Sequence, residues 1–121
     1  MAALVDMSED EVVDCGDVIR LAYNYDLGPG SPPVDLLVYD PLDAAVGPGL
    51  IVLSGYKSGL IYALLPLESR GARRGIRVGW LRARWDDWFS HLWRGEMLVV
   101  PMSPTSILRW QERELVPKHG S

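Results

Sequence analysis

The chain has 121 residues, of which 48% are hydrophobic and 23% charged, and this composition is typical of a globular protein. We predict one domain over 1–121, with 1–11 and 117–121 as peripheral ends. The single cysteine, Cys15, excludes an internal disulfide, and two histidines are too few for a zinc centre. No apolar run reaches the roughly 20 residues of a membrane span, and no secretion signal is recognisable at the start, so we expect a cytoplasmic protein.

The charge is unevenly distributed along the chain. Residues 1–50 hold ten acids and one base, Arg20, whereas residues 51–121 hold six acids and eleven bases. The first part therefore carries −9 and the second +5, which gives the net charge of −4. This asymmetry predicts an acidic pole and a more basic pole, although two solvated faces without a specific role explain it equally well.

Short apolar runs predict strands at 18–21, 36–39, 50–53 and 60–65, the first of them with two β-branched residues. The first follows a turn at 14–17, and a Gly/Pro-rich loop at 26–33 precedes the second. The turn at 54–59, SGYKSG, joins the third and fourth runs and contains two glycines that tolerate positive φ. Because the runs at 50–53 and 60–65 are almost continuously apolar, we expect both to be buried on both faces.

The second part of the chain contains a predicted helix at 79–92, after an exposed basic loop at 69–79. Apolar residues recur there at spacings of three and four, which places them on one stripe. Further strands are predicted at 97–100 and 107–110. The predicted fold is therefore α+β, a strongly bent antiparallel sheet or small barrel of five to six strands with one main helix packed on it. The stripe consists of Leu81, Trp85, Trp88, Phe89 and Leu92.

No catalytic constellation is recognisable in the sequence. His91 has no GxSxG serine to act upon, and we expect it to be structural or at the surface. The segment SGYKSGL lacks the GxxxxGK[ST] order of a phosphate loop and is predicted to be a turn. Asp86 and Asp87 are adjacent in the predicted helix and point in different directions, which makes them poor partners for one carboxylate site. The sequence predicts neither enzymatic activity nor a cofactor.

The region 70–94 supports a second hypothesis, because arginines there alternate with tryptophans. Arginines neutralise phosphates and tryptophans stack on bases, so this region fits a small nucleic-acid-binding or regulatory module. Two features weigh against it: the apolar stripe gives Trp85 and Trp88 a place in the core, and the acidic part of the chain repels a polyanion.

Four blocks, GDVIRL (16–21), LIVLSGYKSGLI (50–61), LLPLES (64–69) and WLRARWDDWF (80–89), together resemble a bacterial immunity family of polymorphic-toxin systems, immunity family 45. The resemblance covers about 16–100. It implies an immunity protein of contact-dependent growth inhibition or a similar system, which binds the C-terminal domain of a cognate toxin. It implies no catalysis and no cofactor, and it transfers no set of site residues.

Charge gives an independent reason to expect such a partner. Many toxin domains are nucleases with basic clefts, and an acidic pole is attracted to a basic cleft and complements it. We therefore hypothesise that the acids of the first part of the chain bind the toxin, together with the lysine at the tip of the 54–59 turn. The hypothesised residues are Glu9, Asp10, Glu11, Asp14, Asp17, Asp40, Asp43 and Lys57. The toxin's activity, the mode of inhibition and the oligomeric state do not follow from the sequence.

Overall fold

The computed structural model describes residues 1–113 of the chain. The expectation that 117–121 is a peripheral end lies outside the described residues. Within the described part the ten strands, β1 to β10 in chain order, are Ala2–Ala3, Val12–Val13, Val18–Arg20, Asp35–Tyr39, Val46–Val52, Ile61–Pro66, Ile76–Arg77, Ser90–Trp93, Glu96–Val99 and Ser106–Leu108. The helices α1 to α3 are Val78–Ala83, Trp85–Trp88 and Trp110–Arg113, and 3₁₀ turns lie at Leu4–Asp6, Leu67–Ser69 and Ala72–Arg74.

Six strands form one antiparallel sheet in the order β1-β10-β3-β4-β5-β6. The sheet is open, with β1 and β6 at its edges, so the predicted barrel is wrong and the predicted antiparallel sheet is confirmed. Two smaller sheets accompany it: β2 pairs with β7, and β8 pairs with β9. The short strands β1, β2, β7 and β8 were not predicted, because two- to four-residue strands leave almost no periodic signal in a sequence.

The two faces of the six-stranded sheet differ in burial. Ile19, Leu36 and Leu50 are fully buried on the face that carries the core. On the other face Arg20 forms a cross-strand ion pair with Asp35, with Nε 2.8 Å from Oδ1. The alternation of burial along β4 follows from the two-residue period of side chains in a sheet.

The predicted helix at 79–92 is replaced by two short helices. It is interrupted at Arg84, whose φ of −109° and ψ of 12° are not helical, and the chain enters β8 shortly after Trp88. Leu81, Trp85 and Phe89 are still buried in the core, as the stripe predicted. Leu92, however, belongs to β8 and is 69% exposed, so its predicted core position is wrong. Each of the three buried side chains contributes about 1.5–3 kcal/mol through burial.

The prediction of burial on both faces holds for β5 in part and is wrong for β6. Most of β5 is buried, whereas Ile61 and Leu64 of β6 are 60% and 47% exposed. The reason is the position of β6, because among residues 1–113 it is an edge strand with β5 as its one neighbour in the sheet. An apolar run therefore marks β6 as a strand without revealing that it lies at an edge.

A buried carboxylate, Asp17, holds the start of β3 against the segment that follows β10. Asp17 is 0% exposed and accepts hydrogen bonds from three donors. They are the Asp14 amide at 2.8 Å, the Arg109 guanidinium at 2.7 Å and the Trp110 amide at 2.8 Å. A buried charge is tolerated only when it is paired and hydrogen-bonded in this way.

Replacing Asp17 by Asn is expected to lower the free energy of unfolding by about 3 kcal/mol, because the Arg109 guanidinium loses its buried counter-charge. Urea unfolding followed by tryptophan fluorescence measures the change. The control is Asp10→Asn, the same substitution at an exposed site, which is expected to stay within about 0.5 kcal/mol of wild type. Equal stabilities of the two variants would contradict a stabilising role for Asp17.

Candidate functional site

Two of the hypothesised acids form ion pairs with the arginine-rich turn that precedes β7. The Arg73 Nε lies 2.8 Å from Asp14, and the Arg74 Nε lies 2.7 Å from Asp40. Both arginines have positive φ, 54° and 61°, a strained conformation outside glycine, and the two ion pairs fix the turn in it. Asp14 and Asp40 are thus already engaged within the protein.

The other hypothesised acids differ in how much of the side chain faces solvent. Glu11 is exposed; it accepts a hydrogen bond from the Ser8 amide at 2.7 Å and lies 3.4 Å from Arg109. Asp43 is exposed and accepts a bond from the Ala45 amide at 2.9 Å. Glu9 and Asp10 are exposed, whereas Asp17 is fully buried. The acidic surface open to a partner therefore consists mainly of Glu9, Asp10, Glu11 and Asp43.

The basic side chains of the 70–94 region also have partners within the protein. Arg82 donates hydrogen bonds to backbone carbonyl oxygens in and just after the first 3₁₀ turn. The shortest, at 2.6 Å, joins its guanidinium to the carbonyl oxygen of Met7. Arg77 donates to the Glu68 carbonyl at 2.9 Å, and Arg70 donates to the carbonyls of Asp43 and Val46. Together with Arg73 and Arg74, these side chains hold the fold together, which leaves few of them for phosphates.

A groove lies between β6 and the segment formed by α2 and β8. We call it the tyrosine groove, after Tyr25 and Tyr62 in its wall. Its volume is about 570 Å³, and it is open to solvent. The residues that line it are Tyr25, Asp26, Val52, Lys57, Leu60, Ile61, Tyr62, Ala63, Asp87, Trp88, His91 and Leu92.

A β-bulge in β6 places Tyr62 in this groove. Leu50 pairs with Ala63, but the next residue, Ile51, pairs with Ile61, so Tyr62 is one extra residue between the two pairs. Bulges redirect side chains and are frequent beside functional sites. The hydroxyl of Tyr62 donates to the Trp88 carbonyl at 3.0 Å and therefore connects the edge of the sheet to the end of α2.

The same hydroxyl determines the hydrogen-bonding role of His91. Its oxygen lies 2.6 Å from Nε2 of His91. Because the single Tyr62 proton goes to the Trp88 carbonyl, which can only accept, His91 donates its Nε2–H to the Tyr62 oxygen. Tyr25 stacks on the imidazole with a centroid distance of 4.6 Å and meets the Tyr62 ring edge-on at 5.1 Å. Burial raises the pKa of the Tyr62 hydroxyl, so it stays protonated.

An ion pair lies at one end of the groove. The Lys57 ammonium is 2.7 Å from Asp26, and it lies 5.7 Å from the centre of the Tyr25 ring and 5.9 Å from that of Tyr56. The side-chain hydrogen bond to Asp26 raises the pKa of Lys57. Tyr56 donates its hydroxyl to Asp26 at 3.2 Å. The hypothesised residue Lys57 is therefore part of the groove, unlike the hypothesised acids.

A second, smaller hollow of about 410 Å³ is lined by Pro66, Glu68, Arg84, Asp87 and Trp88. It shares Asp87 and Trp88 with the tyrosine groove. Asp87 is 3.6 Å from Arg84, and both side chains are more than half exposed. Glu68 accepts a bond from the Trp80 indole at 2.9 Å.

The rims of the tyrosine groove are apolar and exposed. Leu60 and Ile61 are 58% and 60% exposed on the β6 side, and Leu92 is 69% exposed on the opposite side. Met97 follows on β9, paired with Leu92, at 65% exposure. Several large apolar side chains exposed around one concavity are typical of an interaction surface.

The loop at 26–33 helps to form the groove by packing on β8. Gly28 has a φ of +81°, and a Cβ there would lie 2.2 Å from the Trp93 ring. Only glycine allows this turn and this close approach. The predicted loop is confirmed, since residues 26–33 contain neither helix nor strand.

Within residues 1–113, no three His, Cys, Asp or Glu side chains lie close enough together to bind a metal ion. No helix in the same part of the chain is long and apolar enough to cross a membrane. Burial, together with Asp40 and Asp14, raises the pKa of the Cys15 thiol, which disfavours the reactive thiolate.

Sequence reasoning singled out Lys57 but missed the rest of the groove. Tyr25, Tyr62 and His91 lie 37 and 29 residues apart along the chain, and no local motif connects them. The sequence offers one signal for such a site, its five tyrosines and five tryptophans, because so many of these residues fit either a core or an interface.

We expect His91 to make stability depend on pH. Burial lowers its pKa from the ordinary value of 6.5, and Lys57 lowers it further, although Asp26 acts in the opposite direction. As the pH falls below 6.5, the unfolded chain takes up a proton on His91 before the folded chain does, so the free energy of unfolding decreases. Urea unfolding at about pH 7.5 and about pH 5.5, on either side of the ordinary histidine pKa, measures this change in the free energy of unfolding.

The control is His91→Gln, which keeps an N–H donor for Tyr62 and cannot titrate. Its stability is expected to fall less between the two pH values than that of the wild type. Parallel pH profiles would mean that His91 has the same pKa in the folded and unfolded chain.

The family model described as Immunity protein 45 matches residues 7–100. Searches of the curated proteins and of the solved structures give no match. The family match covers more than three quarters of the chain and includes β2 to β9, the tyrosine groove and every hypothesised toxin-binding residue. The chain belongs to the Immunity protein 45 family.

Proposed function

We propose that this chain is an immunity protein that binds and neutralises the C-terminal domain of a cognate bacterial toxin, in contact-dependent growth inhibition or a similar system, and that it acts without catalysis. The family match over residues 7–100 carries the proposal, because an immunity protein implies a toxin partner. The exposed apolar rims of the tyrosine groove supply a surface suited to protein binding. We further propose that the partner is a nuclease with a basic cleft.

The contacts of the basic side chains favour this function over nucleic-acid binding. A nucleic-acid module needs cations directed at phosphates, whereas Arg73 and Arg74 pair with acids, and Arg70, Arg77 and Arg82 donate to backbone carbonyls. Trp85 is buried, and its indole donates to the Val100 carbonyl at 2.7 Å, so it has no face for a base.

The function is tested on the protein that the neighbouring reading frame encodes, which the proposal expects to be the toxin, by expressing its C-terminal domain alone and together with this chain. We expect the toxin domain alone to stop growth and co-expression to restore it, with a stable complex of the two proteins after purification. The control is an unrelated small acidic protein expressed at the same level. Growth arrest despite full expression of this chain, without a complex, would reject the proposal.

Exposed acids are proposed to accelerate association with a basic toxin. Glu9 and Asp10 are exposed and lie in the acidic part of the chain. The double reversal Glu9→Lys, Asp10→Lys is expected to slow association about tenfold at low salt, because electrostatic steering acts on the encounter rate. Stopped-flow fluorescence measures the rate at several salt concentrations.

The neutral variant Glu9→Gln, Asp10→Asn provides a graded control and is expected to lie between the reversal and the wild type. The differences are expected to disappear at high salt, since screening removes steering. Identical association rates for all three proteins at low salt would show that these acids do not steer the partner.

A further inference from the structure

We propose that the toxin docks on the tyrosine groove, and that the groove receives a basic side chain flanked by apolar residues from one segment of the toxin. This inference rests on the proposed function and adds the binding surface and the chemistry of the partner.

The shape of the surface is the first argument. The tyrosine groove and the smaller hollow, of about 570 and 410 Å³, share Trp88 and Asp87 in their linings. Together these two concavities, which we call the combined depression, offer more volume than one side chain requires and suit a short segment of polypeptide. Most standard interfaces place a few well-packed anchors in such depressions, with a polar rim around them.

The apolar rims give the second argument. Leu92, Ile61 and Leu60 face solvent by 58–69% of their surface on the two sides of the depression. The free edge of β6 lies beside them, and residues 60–66 carry no charge that would discourage another chain from approaching. Natural edge strands are protected by charged residues, prolines or bulges, and of these β6 has Pro66 and the bulge at Tyr62 but no charged side chain. An apolar partner surface would remove these side chains from water.

Charge determines the partner's chemistry. Three carboxylates, those of Asp26, Glu68 and Asp87, line the combined depression against two cations, Lys57 and Arg84. The burial that lowers the pKa of His91 favours its neutral form, so the imidazole adds no full charge. Asp87 is the most available acid, because its pair with Arg84 is 3.6 Å long and exposed, and such pairs contribute little. A basic partner side chain complements this surface, whereas an acidic one would meet excess carboxylate.

The position of Lys57 shows that the aromatic wall accepts a cation. Its ammonium is bound by Asp26 and lies within 6 Å of the Tyr25 and Tyr56 rings. Asp87 and Trp88 both belong to the lining that the groove shares with the smaller hollow. An arginine or lysine of the toxin would find an acidic and an aromatic residue in that lining, the same two kinds of residue that surround Lys57.

The groove is also preorganised. The Tyr62 hydroxyl is bonded to the Trp88 carbonyl and to His91, so two walls are held together before any partner arrives. Tyr25 is fixed by stacking on His91. Binding on such a surface loses less conformational entropy than binding on mobile side chains.

The test measures the affinity of the full chain and four variants for the toxin domain encoded by the neighbouring reading frame, by isothermal titration calorimetry. Two variants alter the depression: Leu92→Glu on the rim and Asp87→Lys in the shared lining. Each has a matched control with the same substitution elsewhere. Leu42→Glu changes a leucine that is 84% exposed, and Asp86→Lys changes the neighbouring exposed acid that does not line the groove.

We expect Leu92→Glu and Asp87→Lys each to weaken binding about tenfold or more, and both controls to bind like the wild type. Circular dichroism checks that each variant is folded. If Leu92→Glu does not fold, Asp87→Lys still tests the proposal, because the Asp87 side chain is 65% exposed.

The outcomes distinguish this inference from the proposed function. If the wild type and all four variants bound the toxin with the same affinity, the tyrosine groove would not be the docking site, and the proposed immunity function would remain. A wild type that neither binds nor protects would overturn the function and the inference together. Light scattering on the chain alone measures its oligomeric state. If the chain were a dimer that Leu92→Glu separates and Leu42→Glu does not, a second copy would occupy the groove. That result would contradict the proposal that the toxin binds there.

Discussion

The hydroxyl of Tyr62 joins the edge of the six-stranded sheet to the segment where α2 ends and β8 begins. Its bonds to the Trp88 carbonyl and to His91 exist because a bulge adds one residue to β6 opposite Leu50. Without the bulge, Tyr62 would follow the two-residue alternation and point away from Ala63. The tyrosine groove, the stacking of Tyr25 on His91 and the exposed rims all depend on this local irregularity.

The charge asymmetry of the sequence has a structural explanation as well as a proposed functional one. Acids of the first part of the chain bind arginines of the second part, as Asp14 does with Arg73 and Asp17 with Arg109. These pairs join segments 59 and 92 residues apart, so much of the apparent acidic pole is neutralised within the fold. The acids that remain exposed are few, and attraction at a distance is the role that fits them.

Local patterns predicted several elements well. The apolar runs at 18–21 and 36–39 correspond to β3 and β4, and the glycine turn at 54–59 has positive φ at Gly55 and Gly59. The stripe at 79–92 correctly placed Leu81, Trp85 and Phe89 in the core but did not reveal the break at Arg84. Soon after that break the chain enters the hairpin of β8 and β9, which the helical spacing of the apolar residues does not reveal.

The site itself was beyond local patterns. Tyr25, Tyr62 and His91 come from a loop, an edge strand and a hairpin, and they meet only because the strand order places β6 at the edge. An apolar run such as that of β6 predicts a strand, but it cannot distinguish an edge from a sheet centre. Likewise, a count of acids cannot show that Asp17 is buried and bonded to Arg109 while Glu9 is exposed.

The central claim, that the toxin binds at the tyrosine groove, is tested most directly by hydrogen–deuterium exchange of the chain with and without the toxin domain. The account predicts slower exchange on binding at residues 60–64 and 87–92, which form the two sides of the groove. Protection confined to residues 9–14 and 40–43, with unchanged exchange along β6 and β8, would contradict it and place the contact on the acidic surface.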